Sequence, residues 1–315
     1  MSRKNILFNA LLAGLLLPLT SLIACNEHKG EAPVIKDSPT SGTIRISVDE
    51  SFRPVIEEEV SVFEALYPGT HIIAEYKTEA NCLRDLFMDT SNRMVIVTRG
   101  LSPLESKIFN DSLGYSPVNQ KLAYDGITLV VNKNNNDTLY SLAGLKALFS
   151  GKSGSRMKVV FDGLNATSTV RYAVDSILRG GPFDTSVVKA VANSKEVLNY
   201  VANDVNAVGL VGYSWIGNPE DTAQVKMLNK IKIAWVECAY CKDSPYVKPS
   251  PASIQNMRYP LVRGLYYILK ENYSGLGSGF AAFLQYERGQ LIFRRSYLAP
   301  EMNFGIRSVE VSEKL

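Results

Sequence analysis

The sequence predicts an α/β protein of two lobes joined by two crossing strands. Short β-branched stretches alternate with segments of helical period from Thr43 onward, as they do where helices connect largely parallel strands. The alternation runs through two successive sets. Two extended apolar strands, residues 124–132 and 259–269, stand where the chain would pass from one lobe to the other and back. This divides the body into a first lobe of residues 43–123 plus 261–315 and a second of residues 124–260, with the hinge near Tyr124 and Tyr259.

Each element has its own reason. In residues 43–48, Ile44, Ile46 and Val48 alternate with polar residues, which reads as a strand. Residues 54–66 carry Val55, Ile56, Val60, Phe63 and Leu66 at mostly helical spacing. Pro54 suits a first helical position, and Tyr67-Pro68-Gly69 stops the helix. A strand at 71–76, a helix at 81–88, a strand at 94–97 and a helix at 103–109 complete the first set. The strand of residues 124–132 is entered through Asp125-Gly126. The second set then holds a helix at 142–149, a strand at 157–161, helices at 169–178 and 195–201, and a strand at 207–211. Residues 132–137 and 151–155 are loops by composition. Two helical segments, 279–286 and 290–297, follow the second long strand.

Ahead of this body, Ser2-Arg3-Lys4 is cationic, and residues 6–23 are apolar but broken by Pro18. The run ends in Leu22-Ile23-Ala24-Cys25, the layout of an export signal with a lipobox. The stretch is just long enough to span a bilayer, but Pro18 and the small residue before Cys25 favour a lipoprotein. Residues 1–24 are then removed and Cys25 carries the lipid. The protein is expected to be exported and lipid-anchored to a bacterial membrane, in the periplasm or at the cell surface. Residues 25–42, rich in Lys, Glu, Pro, Ser and Gly, read as a solvated tether.

Composition excludes several functions. The net charge of +3 is spread thinly with no Lys/Arg run, so no nucleic-acid partner is expected. His28 and His71 are the only histidines, which leaves a histidine-based nucleophilic centre or a zinc hydrolase little to work with. An enzyme is not expected. Cys238 and Cys241 form a C-x-x-C pair with no second pair or histidine nearby; in an exported chain this reads as a local disulfide and not as a metal site. Neither metal nor cofactor is expected. Sixteen tyrosines leave room for a surface lipoprotein that binds a protein partner, although they serve equally well in a core.

Three strand-to-helix turns share one chemistry. Glu50, Ser51 and Phe52 precede Pro54; Thr98 and Arg99 follow the third strand; Thr167, Ser168 and Thr169 open a helix with Arg171 in its first turn. Helix N-termini offer unpaired N–H groups and partial positive charge, hydroxyls add donors, and an Arg there is favourable only beside a negative guest. The shared guest would be a small tetrahedral anion. A plain N-cap, which stabilises by about 1 kcal/mol, is the ordinary alternative for each turn.

The order of the pieces resembles a known family. Ser51-x-x-Pro54 leads a helix that ends at Tyr67-Pro68-Gly69, and Asp125-Gly126-Ile127 precedes Val130-Val131-Asn132. Leu142-x-x-Leu145 leads into Leu148-Phe149-Ser150-Gly151-Lys152, followed by Thr167-Ser168-Thr169 and by Ala207-Val208-Gly209-Leu210-Val211-Gly212. Tyr259-Pro260-Leu261, Gly289-Gln290-Leu291-Ile292 and Tyr297-Leu298 close the set. Together, over residues 43–304, they resemble the phosphate-binding proteins of Pst-type ABC transporters, a branch of the two-lobed periplasmic binding proteins. The resemblance implies a type II Venus-flytrap fold that closes on inorganic phosphate and delivers it to an ABC permease. It implies ligand contacts at Glu50, Ser51, Phe52, Thr98, Arg99, Thr167, Ser168, Thr169 and Arg171. The chain also departs from the family pattern. Glu50 brings a carboxylate into the first turn, Thr98-Arg99-Gly100-Leu101 offers no Asp, and the family's usual Arg before the hydroxyl turn falls on Gly163. Arg99 and Arg171 are expected to replace its charge, and the guest is phosphate or a related oxyanion.

Overall fold

The computed structural model describes residues 37–163, 167–238, 240–241 and 245–304. The predicted signal of residues 1–24, the lipidation site Cys25 and residues 26–36 of the tether lie outside the described residues. The compact body begins at Asp37, whose carboxylate accepts a hydrogen bond from the Leu276 N–H at 2.8 Å.

β1 (Gly42–Asp49) buries Ile44, Ile46 and Val48 as its alternation requires. A single 3-10 turn, Glu50–Phe52, leads into α1 (Arg53–Leu66) with Pro54 in its first turn. β2 (Thr70–Lys77), α2 (Glu79–Met88), β3 (Asn92–Val97) and α3 (Pro103–Leu113) follow. β3 is buried on both faces: Met94 and Ile96 join a core with Phe63 and Phe280, whereas Val95 and Val97 meet Cys82 and Phe109. A strand covered on both sides has no polar face, which explains the unbroken apolar run at 94–97.

β4 (Val118–Asn132) is the longest strand at 15 residues. The second half of the chain adds β5 (Leu139–Tyr140), α4 (Leu142–Phe149), β6 (Lys158–Phe161) and α5 (Ser168–Tyr172), which continues as a π-helical stretch, Ala173–Leu178. Then come β7 (Val188–Ala190), α6 (Ser194–Asn203), β8 (Ala207–Gly212), α7 (Thr222–Leu228), β9 (Ile231–Ile233), β10 (Trp235–Glu237), β11 (Tyr246–Val247) and α8 (Pro251–Gln255). β12 (Val262–Leu269), α9 (Leu276–Gln285), α10 (Glu287–Arg295) and β13 (Ala299–Pro300) end the described chain. Cys238 and Cys241 are joined by a disulfide, and Cys82 is free and buried.

The fold is a two-lobed α/β structure on one curled sheet of order β2-β1-β3-β12-β4-β8-β6-β7. One lobe's core gathers Ile46, Phe63, Phe280 and Phe293; the other's gathers Leu129, Phe149, Phe161 and Val208. β4 serves both. Its first part, Val118 to Gly126, pairs with β12, and Ile127 to Val131 pairs with β8.

The expectation of largely parallel strands holds only at the two ends of the sheet, where β1 pairs with β2 and β3, and β6 with β7 and β8. β12 is antiparallel to both β3 and β4, and β4 is antiparallel to β8. β4 leaves the first lobe and β12 returns to it. Two neighbouring strands that cross in opposite senses must be antiparallel.

Candidate functional site

The site is built where three segments meet. β1 ends at Asp49, whose carboxylate accepts the Ser51 N–H at 3.0 Å and so folds the 3-10 turn. That turn points Ser51 and Phe52 inward, and both are fully buried. From the other lobe, β6 ends at Phe161. The next residue, Asp162, accepts from the Thr167 hydroxyl at 3.0 Å and the Thr169 hydroxyl at 3.4 Å. The two lobes touch here: Ser51 Oγ donates to Asp162 Oδ2 at 3.4 Å and lies 3.4 Å from Ser168 Oγ.

The third segment is β12, which brings Arg263. Its Nε and Nη2 donate to Asp125 Oδ2 at 3.0 and 2.9 Å, and its Nη1 donates to Ser168 Oγ at 2.7 Å and Thr169 Oγ1 at 3.2 Å. The guanidinium carbon stands 4.8 Å from the Phe52 ring centroid, a cation–π arrangement. Gly212 leaves little room at the wall of this centre. A Cβ there would lie 3.1 Å from Asp125 Oδ2 and 3.2 Å from both Arg263 Nη2 and the Ser51 carbonyl.

Two further bridges cross between the lobes. Glu50 accepts the Ser194 N–H at 3.2 Å and its hydroxyl at 2.9 Å, at the start of α6. Arg171 donates through Nε to Glu79 Oε2 at 2.7 Å and through Nη2 to Glu79 Oε1 at 3.2 Å and Thr98 Oγ1 at 2.6 Å. The Trp215 indole N–H adds a bond to the Ser51 carbonyl at 2.9 Å.

Charge is unevenly supplied. Five carboxyls (Asp49, Glu50, Glu79, Asp125 and Asp162) surround two arginines, Arg171 and Arg263. Arg263 balances Asp125 and Arg171 balances Glu79. Burial acts to raise the Glu79 carboxyl, but the bonds and charge of Arg171 outweigh it and leave it below its ordinary value. Asp49 has no such partner. Burial pushes it up to about 7, and its Oδ2 makes no hydrogen bond among the described residues. Burial likewise raises Asp162 and Glu50.

The predicted residues divide into three groups. Ser51, Phe52, Thr167, Ser168 and Thr169 meet around Asp162 and Arg263. Glu50, Thr98 and Arg171 lie at the same lobe junction but are engaged with protein partners. Arg99 is turned to α3: its two terminal nitrogens each hold a Glu105 oxygen at 2.7 Å, and the paired Arg99 guanidinium lowers Glu105 to about 2. Ser102 and Glu105 also close that helix as a capping box, so its N-terminal donors are used internally. Sequence reasoning missed Arg263, Asp162 and Asp49 as site residues. Arg263 carried a signal: a cation inside an otherwise apolar strand must be paired or functional.

Chemically, the centre offers hydroxyls, one guanidinium amine and, among the described residues, one carboxyl oxygen without a hydrogen bond, Asp49 Oδ2, all within 6% exposure. The PBP superfamily domain matches residues 34–288, most of the chain. No curated protein matches the sequence. Among solved structures, one from Clostridium perfringens described as a phosphate ABC transporter substrate-binding protein with bound phosphate is 21% identical with a TM-score of 0.66, covering 83% of this chain and 100% of its own. An ABC-type phosphate transport receptor from Vibrio cholerae is 18% identical with a TM-score of 0.58, covering 82% and 99%. The Synechocystis CcmR regulatory domain in complex with 2-PG is 11% identical with a TM-score of 0.52, covering 78% and 96%. At these identities the likeness is one of fold. The two lobes on a shared curled sheet and the match over residues 34–288 place this chain in the PBP superfamily of solute-binding domains.

Proposed function

We propose that the protein is a substrate-binding lipoprotein of an ABC importer, anchored through Cys25, that takes inorganic phosphate between its lobes and passes it to a membrane permease. The lobes are residues 43–123 plus 261–315 and residues 124–260, and they move about β4 and β12. One observation carries the reading. Ser51 from one lobe and Ser168 and Thr169 from the other converge with Arg263 at 2.7–3.4 Å in a fully buried centre. Charge-assisted donors and hydroxyls in a water-excluded pocket are what a small oxyanion needs. A similar fold holds phosphate in the Clostridium perfringens protein.

Calorimetric titration of the mature chain with phosphate and with sulfate tests this. Phosphate should bind with a dissociation constant well below about 1 mM, and Ser168→Ala should weaken it. A wild-type chain whose affinity for phosphate is poorer than about 1 mM, some −4 kcal/mol, removes the uptake role. Tighter binding of sulfate than of phosphate would reassign the guest to another oxyanion.

A further inference from the structure

We propose that the second lobe carries a separate binding site for an acyl-chain carboxylate: a cavity with an apolar floor and a rim of three unpaired cations. The proposal goes beyond the oxyanion reading above and does not rest on it.

The cavity holds about 700 Å³ and lies between α4 and the turn that follows the π-helical stretch Ala173–Leu178. Small-molecule sites are of this size, about 300–1,000 Å³. Its floor is apolar. Leu178 is buried, and Ala147 and Phe183 are half-buried. The Phe183 ring packs on Phe161 and Phe149 of the lobe's core, with centroids 5.2 and 6.1 Å apart. A ring held by the core on one side and open on the other is already in place, so hydrocarbon laid against it leaves water without ordering the wall first.

The rim is cationic. Lys146, Lys152 and Arg179 are exposed around the opening, and none of their side chains makes an ion pair or hydrogen bond among the described residues. Elsewhere Lys77, Arg93 and Arg99 each hold a carboxylate. The acid at this cavity, Asp184, serves its own loop: its Oδ1 accepts the Ser186 N–H at 2.8 Å and hydroxyl at 2.6 Å. Three like charges around one opening repel one another and gain from an anion between them. The C-terminus of α4 accounts for Lys146 in its last turn, but not for Arg179, which comes from another element. Arg179 stands in the left-handed region, φ 54 and ψ 50, where a helix end favours glycine, and Gly180 is only one residue away. The chain keeps an arginine in that place, at the edge of the cavity.

Floor and rim together define the guest. An inorganic anion would leave the apolar floor wet, and an uncharged chain would leave the cations unmatched. A fatty-acid carboxylate answers both: its tail covers Leu178 and Phe183, and its head takes the forked donors of Arg179 with the two lysines beside them.

The test is calorimetry on the chain from Asn26 onward, which contains the whole compact body and no lipidated cysteine, with dodecanoate, dodecanol and acetate below the critical micelle concentration. Dodecanoate should bind saturably with a dissociation constant well below about 1 mM, more tightly than dodecanol, and acetate should not bind. Two variants locate the site. Arg179→Gly should weaken dodecanoate binding about threefold to fivefold, the size expected of an exposed charge pair. Its melting temperature should not fall, because glycine is at ease in the left-handed conformation. Ala143→Trp, at an exposed position of α4, fills the cavity and should abolish binding in a folded chain. Dodecanol or acetate bound as tightly as dodecanoate overturns the proposal. So does dodecanoate affinity unchanged in either variant, or no saturable binding by wild type.

Discussion

Replacing Arg263 by Met, alone and together with Asp125→Asn, separates its part in stability from the part proposed for it in recognition. Arg263 is 5% exposed and Asp125 fully buried. Two of the arginine's donors go to Asp125 Oδ2 at 2.9 and 3.0 Å, while Asp125 Oδ1 accepts the Tyr213 N–H at 3.0 Å. Taking away one partner leaves a carboxylate uncompensated in a dry centre, which costs about 3–5 kcal/mol. That is a large share of a total stability of about 5–15 kcal/mol. Taking away both partners is far cheaper, because no charge is stranded. In the pair Arg263→Met with Asp125→Asn, the amide oxygen can still accept from Tyr213. The single variant should lower the urea-derived unfolding free energy at pH 7.5 by about 3–5 kcal/mol. The double variant should recover most of that loss. Phosphate binding, however, should be lost in both, since Nη1 is absent from each. A double variant that is stable and binds phosphate like wild type would refute the assignment of Arg263 to the site. A single variant costing under about 1 kcal/mol would refute the argument from burial.

Three other outcomes follow from the geometry. Arg171→Ala should weaken phosphate binding at least about tenfold, whereas Arg45→Ala should not, because Arg171 ties Glu79 and Thr98 across the lobes and Arg45 pairs at the surface with Glu75; equal effects in titration would refute a role for that bridge. Arg99→Ala should leave phosphate affinity unchanged, since the guanidinium is held by Glu105, and a loss measured by the same titration would show that it swings into the site. Glu59→Met should raise stability by about 1–3 kcal/mol at pH 8. Glu59 is fully buried with neither oxygen hydrogen-bonded among the described residues, and burial raises its carboxyl well above the ordinary value. Burial holds the native carboxyl above the value of the unfolded chain, so stability falls as pH rises above the ordinary carboxylate range, and the variant's gain should shrink toward pH 4 in urea melts.

Much of the fold was legible because its signals are local. β1 shows period two and α1 shows helical spacing between Pro54 and Pro68-Gly69, so their residues announce them. The first part of β4 was not legible: Val118, Asn119, Gln120 and Lys121 are exposed or half-buried, and their pairing comes from β12, distant in sequence. β12 starts at Val262, not at Tyr259, because Pro260 has no N–H for a ladder and Tyr259 instead donates its hydroxyl to the Ile127 carbonyl at 2.7 Å. β7, β9, β10 and α8 are too short for periodicity to resolve. The hydroxyls of the site were found by their turns. Which arginine would meet them was not, since Arg99 has an acid, Glu105, three residues past the N-cap of the helix that follows it, while Arg263 has none nearby in sequence. Only folding brings Asp125 to it.

The surplus of carboxyls then has a physical reading. An arginine buried with no counter-charge would cost too much to keep, and one fully engaged by carboxylates would have nothing to offer a guest. Arg263 is neither. Asp125 takes Nε and Nη2, fixes the plane of the guanidinium and leaves Nη1 aimed at Ser168 and Thr169. Under the proposed function, attraction for an anion would come from one oriented donor and from hydroxyl dipoles, not from net positive charge. Asp49 and Asp162 also lie within the field of Arg263, but burial outweighs that attraction and raises both carboxyls.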